Sequence, residues 1–296
     1  MQQVNTNTAR VSIIISMLIF GTIGIFVHYI PMPSSVTALI RGVVGTLFLL
    51  AFSRVRKTTI DWSAVRANLG MLVLSGVFIG FNWILLFEAY RYTTVPTATL
   101  CYYLAPVFVI LASSVLFRET LTLKKGLCVL GALVGMVLVT GVLETGFSGT
   151  AELPGILFGV GAAVLYASVV IMNKKITDVQ AFDRTVVQLA AAAMSLLPYV
   201  LVTQWETRLE WAPGVVGLLL VVGIVHTGFA YALYFGAIKE LPAQTSALLS
   251  YIDPVSAIFL SALFLGERLT LPGTIGAVLV LGSTLLSELS PGRKHN

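Results

Sequence analysis

The chain has 296 residues, of which 57% are hydrophobic and only 10% are charged, with a formal net charge of +5 and a mean hydropathy of +0.94. Soluble domains carry about 25% charged residues, so this composition excludes a soluble enzyme, a disordered protein and a nucleic-acid-binding protein. A helix that crosses a bilayer needs about 20 apolar residues, so ten such helices leave room only for short loops and tails. The sequence therefore predicts an all-α polytopic membrane protein without a soluble domain.

The apolar runs predict ten transmembrane helices. The first follows Arg10 and is too long for the apolar core of a signal peptide, so we expect it to be retained as a span. Pro154, Pro213 and Pro272 stand at the starts of three runs, where a first-turn proline costs no hydrogen bond. The connections are short, and the longest, at residues 54–66 and 142–153, have about a dozen residues. The predicted spans cover about residues 10–29, 34–53, 68–88, 95–117, 124–143, 153–173, 181–203, 213–235, 243–265 and 271–289.

The distribution of lysine and arginine predicts the orientation of the chain. With the N-terminus inside, 14 of the 18 basic residues fall in cytoplasmic segments, and 3 fall in outer loops, namely Arg91, Arg208 and Arg268. The remaining one, Arg41, lies within a span. Because cytoplasmic loops carry the excess of basic residues, we expect a multi-pass protein of the cytoplasmic (inner or plasma) membrane with both termini in the cytoplasm.

The sequence contains an internal duplication at an offset of 148 residues. Aligning residues 80–123 with residues 228–271 gives 16 identical pairs in 44 positions without a gap. Shared membrane composition accounts for matches of Leu, Val and Gly but not for aligned tyrosine, proline and glutamate, so we interpret the match as a true repeat. The matched tyrosines, prolines and glutamates are Tyr103/Tyr251, Pro106/Pro254 and Glu119/Glu267.

The duplicated unit has five spans, and an odd number of spans reverses the second copy relative to the first. We therefore predict two inverted five-helix repeats, at residues 1–147 and 148–296, which together form one integrated transporter domain. Glu119 is expected on the cytoplasmic side and Glu267 on the outer side. Inverted repeats of this kind build secondary transporters, in which the binding site lies near the midplane where the halves meet.

The two halves also resemble a known family. Each ends in a similar motif, Phe-Arg-Glu-Thr-Leu-Thr at 117–122 and Leu-Gly-Glu-Arg-Leu-Thr at 265–270, after a helix with a central proline. This arrangement resembles the drug/metabolite transporter superfamily, and within it the EamA branch, over essentially the whole chain. The resemblance implies a ten-helix carrier that moves small metabolites through a central cavity by alternating access. Many members have Trp-Gly in the first helix of each half, where this chain has Phe20-Gly21 and Tyr166-Ala167.

Four ionisable residues lie within predicted spans or at their ends, where a charge costs about 2.5–3.5 kcal/mol. Arg41 is expected to bind a substrate carboxylate through its planar guanidinium, the alternative being a structural ion pair or a side chain that reaches the membrane surface. Asp253, whose duplicate is Ala105, is expected to bind an ammonium group or a proton, the alternative being a salt bridge or a helix cap. His226 would serve proton coupling or bond to a backbone carbonyl, and Glu88 is interpreted as a solvated helix end.

Aromatic and amide side chains within spans form a second set of candidates. A tyrosine in a membrane needs a partner for its hydroxyl, so these residues either line a half-polar pocket or bond to neighbouring helices. Such a pocket would suit amino acids, small aromatic metabolites or, through cation–π attraction, quaternary amines. Pro106 and Pro254 each remove a mid-helix hydrogen bond and are expected to kink two helices beside the central axis. The pocket candidates are Asn82, Trp83, Tyr102, Tyr103, Tyr166, Gln188, Tyr231, Tyr234 and Tyr251.

The remaining patterns narrow the chemistry. Cys101 and Cys128 lie in apolar runs without a neighbouring ligand motif, so we expect neither a disulfide nor a metal site. Gly131 and Gly135 form a small-residue pair that suits helix packing or a dimer contact. The sequence has no G-x-x-x-x-G-K-[ST], H-E-x-x-H or G-x-S-x-G motif, which argues against direct ATP hydrolysis and against an intramembrane enzyme.

These observations together predict a secondary active transporter of small metabolites, such as amino acids or related zwitterions and amines, that works as an exporter or a proton-linked exchanger. The alternatives are a carrier of quaternary amines, other organic cations or drugs, a facilitative channel and an intramembrane enzyme. We expect no cofactor and no metal. The expected partners are a small-molecule substrate, protons and the lipid bilayer, with no nucleic acid, and the chain is expected to be a monomer or a weak homodimer.

Overall fold

A computed structural model of the chain describes residues 6–116, 122–139, 152–176, 178–237, 240–241, 249–267 and 269–288. Glu119, the start of the ninth predicted span and the boundary between residues 147 and 148 lie outside these residues. The described part forms thirteen α-helices and one π-helical segment. They are α1 (Thr6–His28), α2 (Ser34–Val55), α3 (Trp62–Ala67), α4 (Leu69–Tyr92), α5 (Val95–Tyr102), α6 (Ala105–Leu116), α7 (Leu123–Val139), α8 (Leu153–Lys175), α9 (Ala181–Thr203), α10 (Pro213–Val221), the π-helical segment (Val222–Phe229), α11 (Ala230–Ala237), α12 (Ile252–Phe264) and α13 (Leu271–Glu288).

The helices reproduce the predicted spans in order. In the described residues, seven helical segments are long and apolar enough to cross a membrane, and three shorter apolar helices accompany them. The long segments are α1, α2, α4, α5 with α6, α8, α9, and the continuous run from α10 through the π-helical segment to α11. The shorter ones are Gly126–Val139, Ile252–Phe264 and Leu271–Leu286. The chain is therefore an all-α membrane protein of about ten spans.

One cytoplasmic-side connection in the predicted topology contains a helix that the sequence did not predict. Helix α3 lies between α2 and α4, and Asp61 caps its N-terminus by accepting hydrogen bonds from the backbone N–H groups of Ser63 (3.0 Å) and Ala64 (3.2 Å). Such a cap satisfies donors that a helix start leaves without intrahelical partners. Trp62 is exposed and Val65 is fully buried, so this short helix has one exposed and one buried side.

The fourth predicted span is broken rather than kinked. Helix α5 ends at Tyr102 and α6 begins at Ala105, which places Pro106 in the first turn of a new helix. Pro254 likewise lies in the first turn of α12. A proline has no N–H to donate to the carbonyl four residues earlier and clashes with it, so the helix restarts at this point. The two prolines therefore mark helix starts instead of mid-helix kinks.

One pair of equivalent helices, α7 and its duplicate α13, runs antiparallel, as an inverted repeat requires. Helix α7 and its duplicate α13 pack closely, and a Cβ added to Gly135 would lie 2.7 Å from the carbonyl oxygen of Gly276, whereas one added to Gly131 would meet Ser283. Gly131, which comes before Gly135, therefore faces Ser283, which comes after Gly276, as in an antiparallel pair. Gly131 and Gly135 therefore pack against a helix of the same chain, which is the helix-packing interpretation of this pair.

The largest apolar core lies where the two halves interleave. Helix α4 of the N-terminal half packs against α8 and α9 of the C-terminal half, and its side chains Trp83 and Phe87 are buried together with Leu189 and Leu196 of α9. Helix α2 packs against α9 and against the π-helical segment. This core surrounds Arg41 and fixes the helices that carry the candidate site.

Candidate functional site

Tyrosine rings meet at the break between α5 and α6. The Tyr102 ring lies 5.4 Å from the Tyr166 ring and 6.3 Å from the Tyr103 ring, and Tyr103 lies 6.4 Å from Tyr251, measured between ring centroids. These residues come from α5 and the break that follows it, from α8, and from the residue before α12. The break therefore brings aromatic side chains from both halves into one cluster, as the sequence predicted for a pocket or for helix packing.

Asp253 lies at the edge of this cluster. The Tyr103 hydroxyl donates a hydrogen bond of 2.9 Å to Asp253 Oδ2, which joins residues 150 positions apart in the chain. Helix α1 passes close behind, because a Cβ added to Gly21 would lie 2.7 Å from the Asp253 carbonyl oxygen. In the described residues, no basic side chain lies within salt-bridge distance of the Asp253 carboxylate. Within the described part of the chain, the hydrogen bond from Tyr103 and not a salt bridge orients this carboxylate.

Arg41 projects into the bundle and not toward lipid. The residue is 5% exposed, its Nε donates a 2.7 Å hydrogen bond to Thr227 Oγ1, and the guanidinium carbon lies 4.3 Å from the centroid of the Trp83 ring. Phe87 adds a second ring at 5.7 Å. Within the part of the chain that the structure describes, no carboxylate lies within 4.0 Å of the guanidinium. A buried cation with aromatic neighbours and no carboxylate partner is a costly arrangement that calls for a ligand or a function.

The π-helical segment supplies the partner of Arg41. A π-helical turn is rare and is found mostly at functional sites. Its wider turn lets Thr227 Oγ1 donate to the carbonyl of Val222 (3.1 Å) while accepting from Arg41. His226 Nε2 lies 2.9 Å from Thr22 Oγ1, and His226 Nδ1 lies 3.3 Å from the Val221 carbonyl oxygen. Both ring nitrogens therefore have protein partners, which matches the structural alternative considered for this histidine.

Two further tyrosines lie near the charged residues, Tyr231 near Arg41 and Tyr90 near both. Tyr231 of α11 packs edge-on against Phe20 at 5.4 Å and lies within electrostatic range of Arg41. Tyr90 near the end of α4 is buried and lies within electrostatic range of both Arg41 and Asp253. The charges thus belong to one aromatic region of the bundle. Phe20, the aromatic residue at the Trp-Gly position of the first helix, is part of the same region.

The two amides among the candidates are engaged in helix packing. Asn82 Nδ2 donates to the Ala162 carbonyl oxygen at 2.6 Å, which links α4 to α8. Gln188 Nε2 donates to Ser75 Oγ (2.6 Å) and to Asn173 Oδ1 (2.7 Å), which links α9 to α4 and α8. Both amides are buried. Both amide nitrogens therefore donate to protein partners that link helices.

Sequence reasoning missed several members of the region. Thr227 is an ordinary threonine by sequence, and only the π-helical turn places it against Arg41. Tyr90 stands at a span end beside the exposed pair of Glu88 and Arg91, whose Oε1 and Nη1 atoms lie 3.5 Å apart, and nothing local distinguishes it. Thr99 of α5 is buried and its hydroxyl lies close to that of Tyr90, a contact that nothing in the local sequence indicates.

The described residues contain no group of three or more His, Cys, Asp or Glu side chains that could hold a metal ion. Cys101 and Cys128 are buried thiols. Among the described residues, the central region therefore offers one guanidinium, one carboxylate, the imidazole of His226, hydroxyl groups and aromatic rings. These groups bind and orient polar ligands.

Comparisons with known proteins agree with this architecture. The model of the EamA-like transporter family matches residues 8–141 and 153–289. The uncharacterized transporter YxxF of Bacillus subtilis (strain 168) is 30% identical over 296 residues, covering 98% of this chain and 92% of the relative. The uncharacterized inner membrane transporter YicL of Salmonella typhimurium is 24% identical over 98% of each chain. One crystal structure with 20% sequence identity has a TM-score of 0.65 over 95% of this chain and 96% of its own.

Proposed function

Because the chain belongs to the EamA-like transporter family and is a multi-pass membrane transporter, not an enzyme, we propose that it moves zwitterionic metabolites through the centre of the bundle by alternating access. The substrates in this proposal are amino acids or closely related amines. The carrier would act in the cytoplasmic membrane, with both termini in the cytoplasm, as an exporter or a proton-linked exchanger.

One observation carries the proposal. Arg41 and Asp253 are opposite charges in the same aromatic region, and in the described residues neither has an ionic protein partner. A buried charge without a partner costs several kcal/mol. A ligand with a carboxylate and an ammonium group offsets both costs at once, whereas a neutral ligand offsets neither.

Arg41 is suited to the carboxylate end of such a ligand. Thr227 accepts the hydrogen bond from Nε, and the Trp83 ring supports one face of the guanidinium. These contacts fix the plane of the group, while its terminal nitrogens make no hydrogen bond within the described part of the chain. A planar guanidinium held in this way binds a carboxylate through two parallel hydrogen bonds.

Asp253 is suited to the ammonium end. Its Oδ2 accepts from the Tyr103 hydroxyl, so the carboxylate has a fixed orientation and further acceptor capacity for an ammonium group. The faces of Tyr102, Tyr103 and Tyr251 add cation–π attraction. The same rings provide an apolar surface for the ligand side chain.

The helix break supports alternating access. Tyr103 belongs to the break between α5 and α6 in one half, and Asp253 to the first turn of α12 in the other. Discontinuous helices at the interface of inverted repeats are the usual location of transporter sites, and rocking of one half against the other exposes the site to alternate sides. We take residues 1–147 and 148–296 as these halves.

The test has two stages. Purified protein in detergent is heated with matched ligands, namely an amino acid, the amine that lacks its carboxylate and the acid that lacks its amine, and the melting temperature is measured. A ligand that binds only the folded protein raises that temperature. The amino acid that stabilises most is then used for counterflow in proteoliposomes. We expect trans-stimulation with wild type and none with Asp253→Asn, whereas Glu88→Gln, a change in an exposed pair, retains wild-type rates.

A second candidate is a carrier of organic cations. The observation that favours it is the combination of one carboxylate with several tyrosine faces, which by itself recognises a quaternary amine. The same ligand set separates the two. If the amine stabilises as strongly as the amino acid and Arg41→Lys changes neither, Arg41 makes no contact with substrate and the carrier transports cations.

A further inference from the structure

We propose that Glu267 is a proton-controlled latch that closes the end of the transport path at which α5 begins. The inference rests on the alternating-access carrier proposed above, because a latch needs a path that opens and closes. Glu267 lies outside the proposed substrate site, at one end of the bundle, so the substrate proposal gives it no role.

The geometry of the latch joins the two halves of the molecule. Glu267 follows α12 in the C-terminal half, and its Oε2 accepts a 2.9 Å hydrogen bond from the backbone N–H of Val95, the first residue of α5 in the N-terminal half. Helix starts present N–H groups without intrahelical acceptors, and a carboxyl oxygen satisfies one of them. The contact therefore fastens the end of α5 to the opposite half.

The latch and the central site lie at opposite ends of one short helix. Helix α5 spans Val95–Tyr102, and the next residue, Tyr103, donates to Asp253. If the rocking motion separates the halves at the start of α5, the Val95–Glu267 bond must break. The state of Glu267 is thereby coupled to the position of the helix that carries Tyr103 into the site.

The charges around Glu267 determine how it responds to protons. Glu152, just before α8, accepts a 2.6 Å hydrogen bond from Thr93 Oγ1 and repels an ionised Glu267. His28 at the end of α1 attracts it. On α4, Glu88 and Arg91 form an exposed pair with each other. Arg268, the next residue in the chain, lies outside the described residues.

The sign of the pH dependence follows from these contacts. Burial, reinforced by the charge of Glu152, raises the pKa of Glu267 above its ordinary value, against the opposing effects of the Val95 N–H and His28. Opening would return the carboxyl group to water and to its ordinary pKa. The closed state therefore binds the proton more tightly, so acid stabilises closure, and this stabilisation is lost as the pH rises through the raised pKa. A protonated carboxyl group still accepts the Val95 N–H through its carbonyl oxygen.

Two substitutions separate the charge from the hydrogen bond. Glu267→Gln keeps an acceptor without the charge and should hold the end closed at every pH. Glu267→Ala removes the acceptor and should raise the ratio of open to closed molecules about tenfold, which is the worth of one hydrogen bond involving a charged group. The matched control is Glu88→Gln, which neutralises a carboxyl group at the same end without touching α5.

The measurement is a distance between two spin labels in lipid nanodiscs, without substrate. Labels at Tyr92 and Leu271, both exposed positions in opposite halves, are attached in a chain whose Cys101 and Cys128 are replaced by alanine. In wild type we expect a short distance at acid pH and a growing longer distance as the pH rises. Size-exclusion chromatography verifies that each variant is monodisperse before the distances are compared.

The outcomes are distinct. A short distance at all pH values in Glu267→Gln and a longer one in Glu267→Ala support the latch. Glu267→Ala that keeps the wild-type distances, or Glu267→Gln that keeps the wild-type pH response, overturns it. Counterflow assayed in the same preparations separates the two proposals. If counterflow occurs but the label distances are the same in wild type and the Glu267 variants, the latch alone is refuted. If the label distances change with Glu267 but no counterflow occurs, the carrier alone is refuted.

Discussion

The broken helices of the two halves share their scaffold and differ in their charge. At the offset of 148 residues, Tyr103 matches Tyr251 and Pro106 matches Pro254, but Ala105 stands where the C-terminal half has Asp253. The shared residues produce a helix restart in both halves. The residue that differs carries the only carboxylate in the central region of the described structure.

The same offset extends the contrast to the other polar residues of the region. It places Leu189, which is 1% exposed in the core, opposite Arg41, and it places Phe78 opposite His226. The duplicated positions thus build the helices and part of the tyrosine cluster, and the unduplicated ones supply the charges. A site made in this way is asymmetric inside a nearly symmetric frame, which suits a ligand whose two ends differ.

The largest expected effect comes from removing the charge that only the C-terminal half has. Asp253→Asn is nearly isosteric and keeps an acceptor for Tyr103, so folding should be preserved. Loss of the carboxylate should reduce affinity for ammonium-bearing ligands about a hundredfold, within the range for a charge-assisted contact in a dry site, and should abolish counterflow. Wild-type transport in this variant would make Asp253 a structural residue.

Replacing Arg41 by the residue of the other half tests the second charge. Arg41→Leu copies Leu189 and should weaken binding of carboxylate-bearing ligands about tenfold to a hundredfold. Because it removes a buried charge that has no carboxylate partner among the described residues, the melting temperature of the ligand-free protein should stay the same or rise. A large fall in melting temperature with unchanged ligand binding would show that Arg41 serves the fold.

The contrast between the halves also shows what a sequence can and cannot reveal. The hydropathy along the chain predicted the ten spans. The internal repeat, whose unit has an odd number of spans, predicted the inversion of the halves. The burial of Arg41 followed from its depth within a span. The hydrogen bond between Arg41 and Thr227 could not be predicted, because it depends on a π-helical turn 186 residues further along the chain.

Two other features required the packed structure. Proline predicts a lost hydrogen bond but not whether the helix bends or restarts, and the restart at Ala105 is visible only in the structure. Asn82 and Gln188 resemble pocket residues in the sequence because an amide within a span needs hydrogen-bond partners. In the structure those partners are Ala162, Ser75 and Asn173 on neighbouring helices. Long-range pairing, unlike periodicity, leaves no local pattern.

The symmetric contact between α7 and α13 should tolerate no added volume. Gly276→Ala places a Cβ against the Gly135 carbonyl oxygen and the Leu138 side chain and should destabilise the protein by about 1–2 kcal/mol, as overpacking does. Gly282→Ala on the same helix meets nothing within 4 Å and should be neutral or slightly stabilising. Denaturation in detergent compares them, and equal stabilities would contradict the packing described for α7 and α13.

The smallest expected effect on ligand binding comes from Gln188, an amide that links helices and is not expected to contact the ligand. Gln188→Leu removes two hydrogen bonds, to Ser75 and Asn173, and should cost about 1.2 kcal/mol, at the average of about 0.6 kcal/mol for each such bond in membranes. Ligand affinity should be unchanged. Altered ligand selectivity in a stable Gln188→Leu protein would show that Gln188 contributes to substrate binding.

The central claim is that one ligand spans the two unduplicated charges, and ligand binding to two proteins tests it directly. The affinities of an amino acid and of the amine that lacks its carboxylate are measured with wild type and with Arg41→Leu by isothermal titration calorimetry. Wild type should prefer the amino acid by about tenfold or more, and Arg41→Leu should bind both ligands equally. A preference that is identical in the two proteins would contradict the claim, because Arg41 would then make no contact with the carboxylate.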